Sequence, residues 1–361
     1  MRTAKLAICF MVACSVASLS AQDQKSEPPA WSSKAAAAYL DDRMSWWMSW
    51  PQSARDHDTF CVSCHTVLPY AIARPALRTA LAEQAPSPIE RRLVENVTKR
   101  VRMWDKVEPF YPDETRGVPK TAESRGTESI LNALVLVSEN APDAQLALDN
   151  MWGQQVRTGD AKGAWSWLQF HNSPWEGDSQ YYGAILAAIA VGAAPHSYRS
   201  SPGIQDGMKL LRDYLTRESE SQILFHRVML LWASARTAGL LTPAQQKAIM
   251  DEALGKQQPD GGFSLTSLVG GWKRRDGTSL ETKSDGYATG IVIYALRQAG
   301  IAADRTQLKR ALTWLSENQD KAEGRWLAYS LNKQRDLSSD VGRFMSDAAT
   351  AHAVLALTGA K

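Results

Sequence analysis

Cysteine is scarce in this chain: its 361 residues carry four. Two of these, Cys9 and Cys14, lie in an N-terminal stretch that reads as a removable signal, leaving Cys61 and Cys64 to the mature chain. That excludes a disulfide framework beyond one pair, and it excludes a zinc site built from two cysteine pairs. Long apolar runs are missing too, and a membrane-spanning helix needs about 20 such residues, so the chain is expected not to be transmembrane. Nor is there a surplus of one charge. Lys and Arg total 41 against 38 Asp and Glu, and loss of Arg2 and Lys5 with the signal takes the formal charge from +3 to +1. Such a balance offers no electrostatic footprint for nucleic acid.

The N-terminus has the layout of a secretory signal. Arg2 and Lys5 supply the positive segment, Leu6 to Val16 an apolar core too short to span a bilayer, and Ser18-Leu19-Ser20-Ala21 the small residues of a cleavage site. The expectation is a signal peptide at 1–21, a mature domain at 22–361, and a periplasmic or secreted protein. Met11-Val12-Ala13 before Cys14 resembles a lipoprotein cleavage box and gives a minor alternative, anchoring at Cys14.

The mature cysteines stand in Cys61-Val62-Ser63-Cys64-His65. Two cysteines three apart with histidine at once after them form the spacing of c-type haem attachment. Each thiol adds to one vinyl group of the porphyrin, and the imidazole reaches the iron from the same turn. The expectation is one covalent haem c, with Cys61, Cys64 and His65 as cofactor-binding residues and His65 as axial ligand. A disulfide, a redox C-x-x-C and half of a zinc site are the competing readings. The redox reading wants a βαβ context that the sequence does not show, and zinc lacks further ligands. For the sixth iron position, Met345 has an edge over His171, Met44 and Met48. His57 is expected to be exposed, while His226 and His352 fall in helices where hydrogen bonding explains a histidine more simply. A five-coordinate iron is the other option.

The rest of the chain reads as repeated helices. Segments 128–137, 178–191, 223–235, 285–299 and 347–357 are rich in Ala, Leu and Ile, the mark of helices buried on most sides. Between them lie polar, amphipathic stretches at 88–103, 142–156, 203–216, 243–254 and 304–315, which suit an outer layer. The alternation recurs at intervals of roughly 50 to 60 residues, so six helical hairpins are expected in an all-α domain. Aromatic segments such as Trp165-Ser166-Trp167, Gly262-Phe263 and Trp326-Leu327-Ala328-Tyr329 precede most inner starts.

One segment, Lys256-Gln257-Gln258-Pro259-Asp260-Gly261-Gly262-Phe263, resembles the Gln-x-x-Asp-Gly-Gly-Trp/Phe repeat of the squalene-hopene cyclase and protein prenyltransferase superfamily. The resemblance covers most of the mature chain in rhythm and this one repeat in letters. It implies an α/α toroid, with inner and outer helices alternating around a central cavity. The Asp-x-Asp-Asp run of the cyclases does not occur, since Asp41-Asp42 lacks the motif, and both mature cysteines belong to the haem motif rather than to a prenyltransferase-like zinc set. Neither activity is expected. The chain is similar overall to exported squalene-cyclase-like toroid proteins with an inserted C-x-x-C-H. That similarity implies haem binding and electron transfer, with a redox partner protein or a small-molecule ligand in the cavity.

Aligned on the other hairpins, Cys61 to His65 falls where an inner helix begins, which places the haem at one mouth of the toroid. Pro69 cannot donate to the carbonyl of His65, so the motif is expected to form its own turn before a helix at about 69–82. Four inner starts carry an acid: Glu128, Asp178, Asp285 and Asp347. These read either as helix caps or as a ring of carboxylates doing acid–base work, with Glu128 and Asp178 foremost. Arg125, Lys273, Arg274, Arg275 and Arg343 precede inner starts and are candidates to pair with haem propionates or the nearby acids. The expected function is therefore a monohaem c-type cytochrome-like protein, active in electron transfer or as a haem-dependent oxidoreductase. The alternatives are a carboxylate-based glycan hydrolase or lyase on the same toroid, and a non-catalytic haem-bearing binding protein.

Overall fold

The computed structural model describes residues 31–171, 173–176 and 180–360. The expected signal at 1–21, with Cys9 and Cys14, lies outside the described residues, as does Asp178.

Six inner helices run Val67–Ala80, Lys120–Ser138, Tyr181–Ala193, Leu224–Arg236, Gly286–Gln298 and Phe344–Thr358. Each touches the next, and the sixth returns to the first, so the ring is closed. Six outer helices precede them in turn: Ser33–Ser49, Pro88–Arg102, Ala144–Gly153, Gln205–Glu218, Pro243–Leu254 and Thr306–Glu317. Composition explains the two layers. In Gly286–Gln298 every residue from Gly286 to Leu296 is buried, because neighbours cover the helix on all sides. In Gln205–Glu218 burial follows a stripe of Gly207, Met208, Leu211, Tyr214 and Leu215, with polar residues facing out. Full burial of a Leu- or Ile-sized side chain is worth about 1.5–3 kcal/mol, so the inner ring is where the fold's driving force is concentrated.

Three of the six outer helices start at a residue whose side chain caps them: Ser32, Ser87 and Thr242. Ser87 with Glu90 and Thr242 with Gln245 form reciprocal capping boxes, each followed by proline at the first helical position, where no N–H is needed. The hairpins are then tied to one another by glutamines. Gln257 Nε2 donates to Gly261 O and to Gln307 O at the start of the next outer helix. Gln155 does the same with Gly163 and Gly207, and Gln319 with Gly324 and Ser32. The last of these joins the sixth repeat to the first. Gly324, at φ +77°, sits so close to the first outer helix that a Cβ there would lie 2.4 Å from Ala35 O.

Three expectations need correction. An antiparallel hairpin, β1 (Ala54–Arg55) paired with β2 (Thr59–Phe60), precedes the cysteine motif in an otherwise helical domain. The first inner helix begins at Val67 rather than Pro69, since Pro69 falls in the first turn, where its missing N–H costs nothing. The second begins at Lys120, which places Glu128 in mid-helix rather than at a start.

Candidate functional site

Segments leading into the inner helices gather at one mouth of the ring and enclose two adjoining clefts. The smaller, about 250 Å³, is lined by His65, Trp175, Glu176, Arg335, Phe344 and Met345, among others. The larger, about 810 Å³, is lined by Cys61, Arg55, Asp56, Glu108, Phe110 and Arg116. Trp47, Trp50 and Tyr111 border both.

The Cys61–His65 turn is held from three directions. Asn96 clasps both backbone groups of Phe60, at 2.8 and 3.0 Å, just before Cys61. Trp47 Nε1 donates to Cys61 O at 2.9 Å, and Cys61 N donates to Ser53 O at 2.9 Å. Ser63, inside the motif, accepts from Val67 N at 3.1 Å and so caps the first inner helix. Both thiols are buried and not bonded to each other. Cys61 borders the larger cleft, while Cys64 borders a small internal space with Leu68, Tyr182 and His352. Burial pushes the Cys61 thiol up to about 11, and Cys64 well above its ordinary value.

The His65 ring stacks on Phe344, with centroids 3.8 Å apart, and meets the edge of Trp47 at 5.2 Å. Its Nδ1 lies 2.9 Å from Thr66 Oγ1. Burial, helped by the charges of Arg43 and Arg335, pulls His65 down to about 3, so the imidazole is neutral at physiological pH. Met345 borders the same cleft as His65. The other candidates for the iron lie elsewhere: Met44 and Met48 are packed in the core, and His57 is exposed beside Asp56. His171 borders neither cleft. His226 bonds Gln222 and Pro174 O, and His352 bonds Ala348 O.

The three described acids of the expected ring are all buried and engaged. Glu128 accepts from Arg100 Nε at 2.6 Å, and Arg100 also holds Asp56 at 3.0 Å and Glu108 O at 2.8 Å. Burial pushes Glu128 up against the pull of Arg100. Asp285 is the N-cap of the fifth inner helix, accepting from Ala288 N at 2.8 Å and from Leu265 N at 2.6 Å. Burial raises it to about 7. Asp347 accepts from Tyr39, Arg43 and Thr66 and so fastens the sixth hairpin to the first. None of the three borders either cleft. Among the described residues no His, Cys, Asp and Glu side chains are grouped as ligands of a bare metal ion.

Three of the arginines expected at the mouth are likewise structural. Arg125 donates to Trp104 O, Arg274 to Ser330 O, and Arg343 pairs with Glu323 at 3.3 Å. Lys273 and Arg275 border neither cleft. The cations that do border the clefts, Arg55, Arg116 and Arg335, were missed in the sequence, as were the acids Asp56, Glu108 and Glu176. Arg55 lies over Tyr111 at 5.3 Å and Arg116 over the same ring at 5.6 Å, an arrangement visible in sequence only as scattered charges in connections.

A closed ring of six outer and six inner helices defines an α/α toroid. Among solved structures the chain is similar to the unsaturated glucuronyl hydrolase, responsible for the degradation of glycosaminoglycan, from Bacillus sp. GL1. The match has a TM-score of 0.53 and 11% identity, and covers 90% of this chain and 94% of that one. At that identity the likeness speaks for the fold. No family model matches the chain, and no curated protein matches it in sequence.

Proposed function

We propose that this toroid carries one haem joined covalently to Cys61 and Cys64, with His65 as axial ligand, and that it acts in electron transfer or haem-dependent oxidation at the mouth of the ring. The observation that carries the reading is the donor set. Two thiols that are not bonded to each other adjoin a neutral imidazole whose Nε2 makes no hydrogen bond within the described protein. These are the groups a c-type attachment requires. Supporting features are the aromatic wall of Trp47, Trp50, Trp175 and Phe344, an apolar surface suited to a porphyrin face, and the cationic border of Arg55, Arg116 and Arg335, suited to carboxylate groups. Met345, which borders the same cleft as His65, would be the further protein donor to the iron. Haem so bound supplies one-electron chemistry. The protein's part is to hold the imidazole neutral and aimed, to fix the turn, and to close the inner face.

Production with and without a cytochrome c maturation system tests this. A visible haem spectrum and haem staining that survives denaturing electrophoresis are expected only with maturation. Colourless protein from a maturation-competent periplasm would refute the proposal. Export itself is part of the proposal, since attachment of this kind follows the signal at 1–21.

The solved neighbour favours a second reading, a glycan hydrolase or lyase built on the same toroid. Its acids would be Glu176 in the smaller cleft and Asp56 or Glu108 in the larger, because Glu128, Asp285 and Asp347 are withdrawn from both. Cleavage of an unsaturated glucuronyl disaccharide that is lost in Glu176→Gln and kept in His65→Ala would establish it.

A further inference from the structure

We propose that Thr66, backed by Asp347 and Arg43, is a positioning residue that sets the tautomer of His65: the ring proton sits on Nδ1, and Nε2 is presented unprotonated to the cleft. The inference deepens the haem reading and rests on it only for what Nε2 binds; the tautomer stands on hydrogen bonding alone.

Arg43 anchors the network, and its guanidinium can only donate. It gives Nε to Asp347 Oδ1 at 2.8 Å and Nη2 to Oδ2 at 3.2 Å. Tyr39 donates its hydroxyl to Oδ1 at 2.7 Å, and Thr66 Oγ1 stands 2.7 Å from Oδ2. An ionised carboxylate has about four acceptor positions, and these four contacts fill them. The single hydroxyl hydrogen of Thr66 is therefore committed to Asp347. What remains on Thr66 Oγ1 is lone-pair density, and His65 Nδ1 lies 2.9 Å from it. Only an Nδ1–H satisfies that contact, which leaves Nε2 as the nitrogen with the free electron pair.

Packing completes the device. Asp347, Thr66 and Arg43 are all buried, and Asp340 holds a second arm of Arg43 at 3.0 Å, so the chain has little freedom to reorganise. Phe344 stacks on the imidazole face, and Trp47 meets it edge-on, so rotation about the ring's own axis is opposed from both sides. A hydrogen-bonded carboxylate behind an imidazole raises its basicity as a metal ligand and fixes its orientation. Here the influence passes through a hydroxyl, and the residue adjoining the histidine in sequence supplies it.

The test compares wild type, Thr66→Val and Thr66→Ser in the full chain by two readouts. Nitrogen-15 NMR of the haem-free chain reads the tautomer directly: wild type and Thr66→Ser should show Nδ1 protonated, and Thr66→Val a shift toward the Nε2–H form. In haem-bearing protein, Thr66→Val should keep the covalent attachment, which depends on the cysteines. Loss of the electron-donating hydrogen bond should favour the reduced state about tenfold, a rise of about 59 mV for a one-electron couple, with Thr66→Ser near wild type. Nε2–H in the wild type, or Thr66→Val indistinguishable from wild type in both readouts, would overturn the inference. Wild type that acquires no haem would overturn the haem reading instead, with the NMR result still deciding the tautomer.

Discussion

Replacing Glu128 by Gln separates a structural acid from a catalytic one. The carboxylate and its partner Arg100 are both fully buried, joined at 2.6 and 3.3 Å. Removing one charge of such a pair leaves the other uncompensated, at a cost of about 3–5 kcal/mol. Two features pull the value to the low end: the amide oxygen of Gln still accepts one hydrogen bond, and Arg100 keeps Asp56 at 3.0 Å. We therefore expect a loss of about 3 kcal/mol, more than the ~1 kcal/mol typical of a lost helix cap. Urea unfolding followed by tryptophan fluorescence measures it. Arg100→Met combined with Glu128→Leu should cost less than the two single losses added together, because neither charge is then stranded. A Glu128→Gln protein within about 0.5 kcal/mol of wild type, with a glycan-cleaving activity abolished, would refute this reasoning and restore Glu128 to the catalytic role.

With Cys61 pushed up to about 11 and Cys64 higher, the thiolate fraction at pH 7 is on the order of one in ten thousand for Cys61. Folded haem-free chain should resist a thiol-directed reagent and take up haem covalently only when unfolded; rapid labelling of both thiols in the native state would count against the burial described. His352 is held neutral by burial, down to about 4 from 6.5. An unfolded chain protonates there first as the pH falls, so wild type should lose about 3 kcal/mol relative to His352→Met between pH 7.5 and 4, and a difference independent of pH would contradict this. Gly324→Ala should cost at least ~1 kcal/mol through its positive φ and the approach of Ala35 O, whereas Gly300→Ala, also at positive φ but with open space around it, should cost less. Equal unfolding midpoints for the two would remove the steric part of that argument.

The two helical layers were legible because burial on all sides and burial on one side leave different patterns of residues. Tyr181–Ala193 contains no charged residue, and Gln205–Glu218 carries a single apolar stripe. Boundaries were less legible. Lys120 to Ser124 are polar enough to pass for a loop, yet Glu123 and Ser124 are buried against the preceding connection, so the second inner helix extends well before Glu128. The partner that gives Glu128 its role, Arg100, is 28 residues away on the outer helix of the same hairpin, and no local pattern announces it. The glutamine ties show the same limit. Gln257 stood out because its glycines follow closely, whereas Gln155 reaches Gly163 across a longer insertion and makes equivalent bonds. At the mouth, the C-x-x-C-H spacing was plain, but the Thr66–Asp347 contact spans 281 residues and arises only when the ring closes.

The proposed function stands or falls with haem attachment at Cys61 and Cys64. Mass spectrometry of proteolytic peptides from protein matured in a periplasm tests it most directly. One haem per chain is expected, carried on the peptide containing Cys61 to His65 and absent from a Cys61→Ala, Cys64→Ala double variant. That peptide recovered without added mass, its two cysteines free or joined to each other, would contradict it.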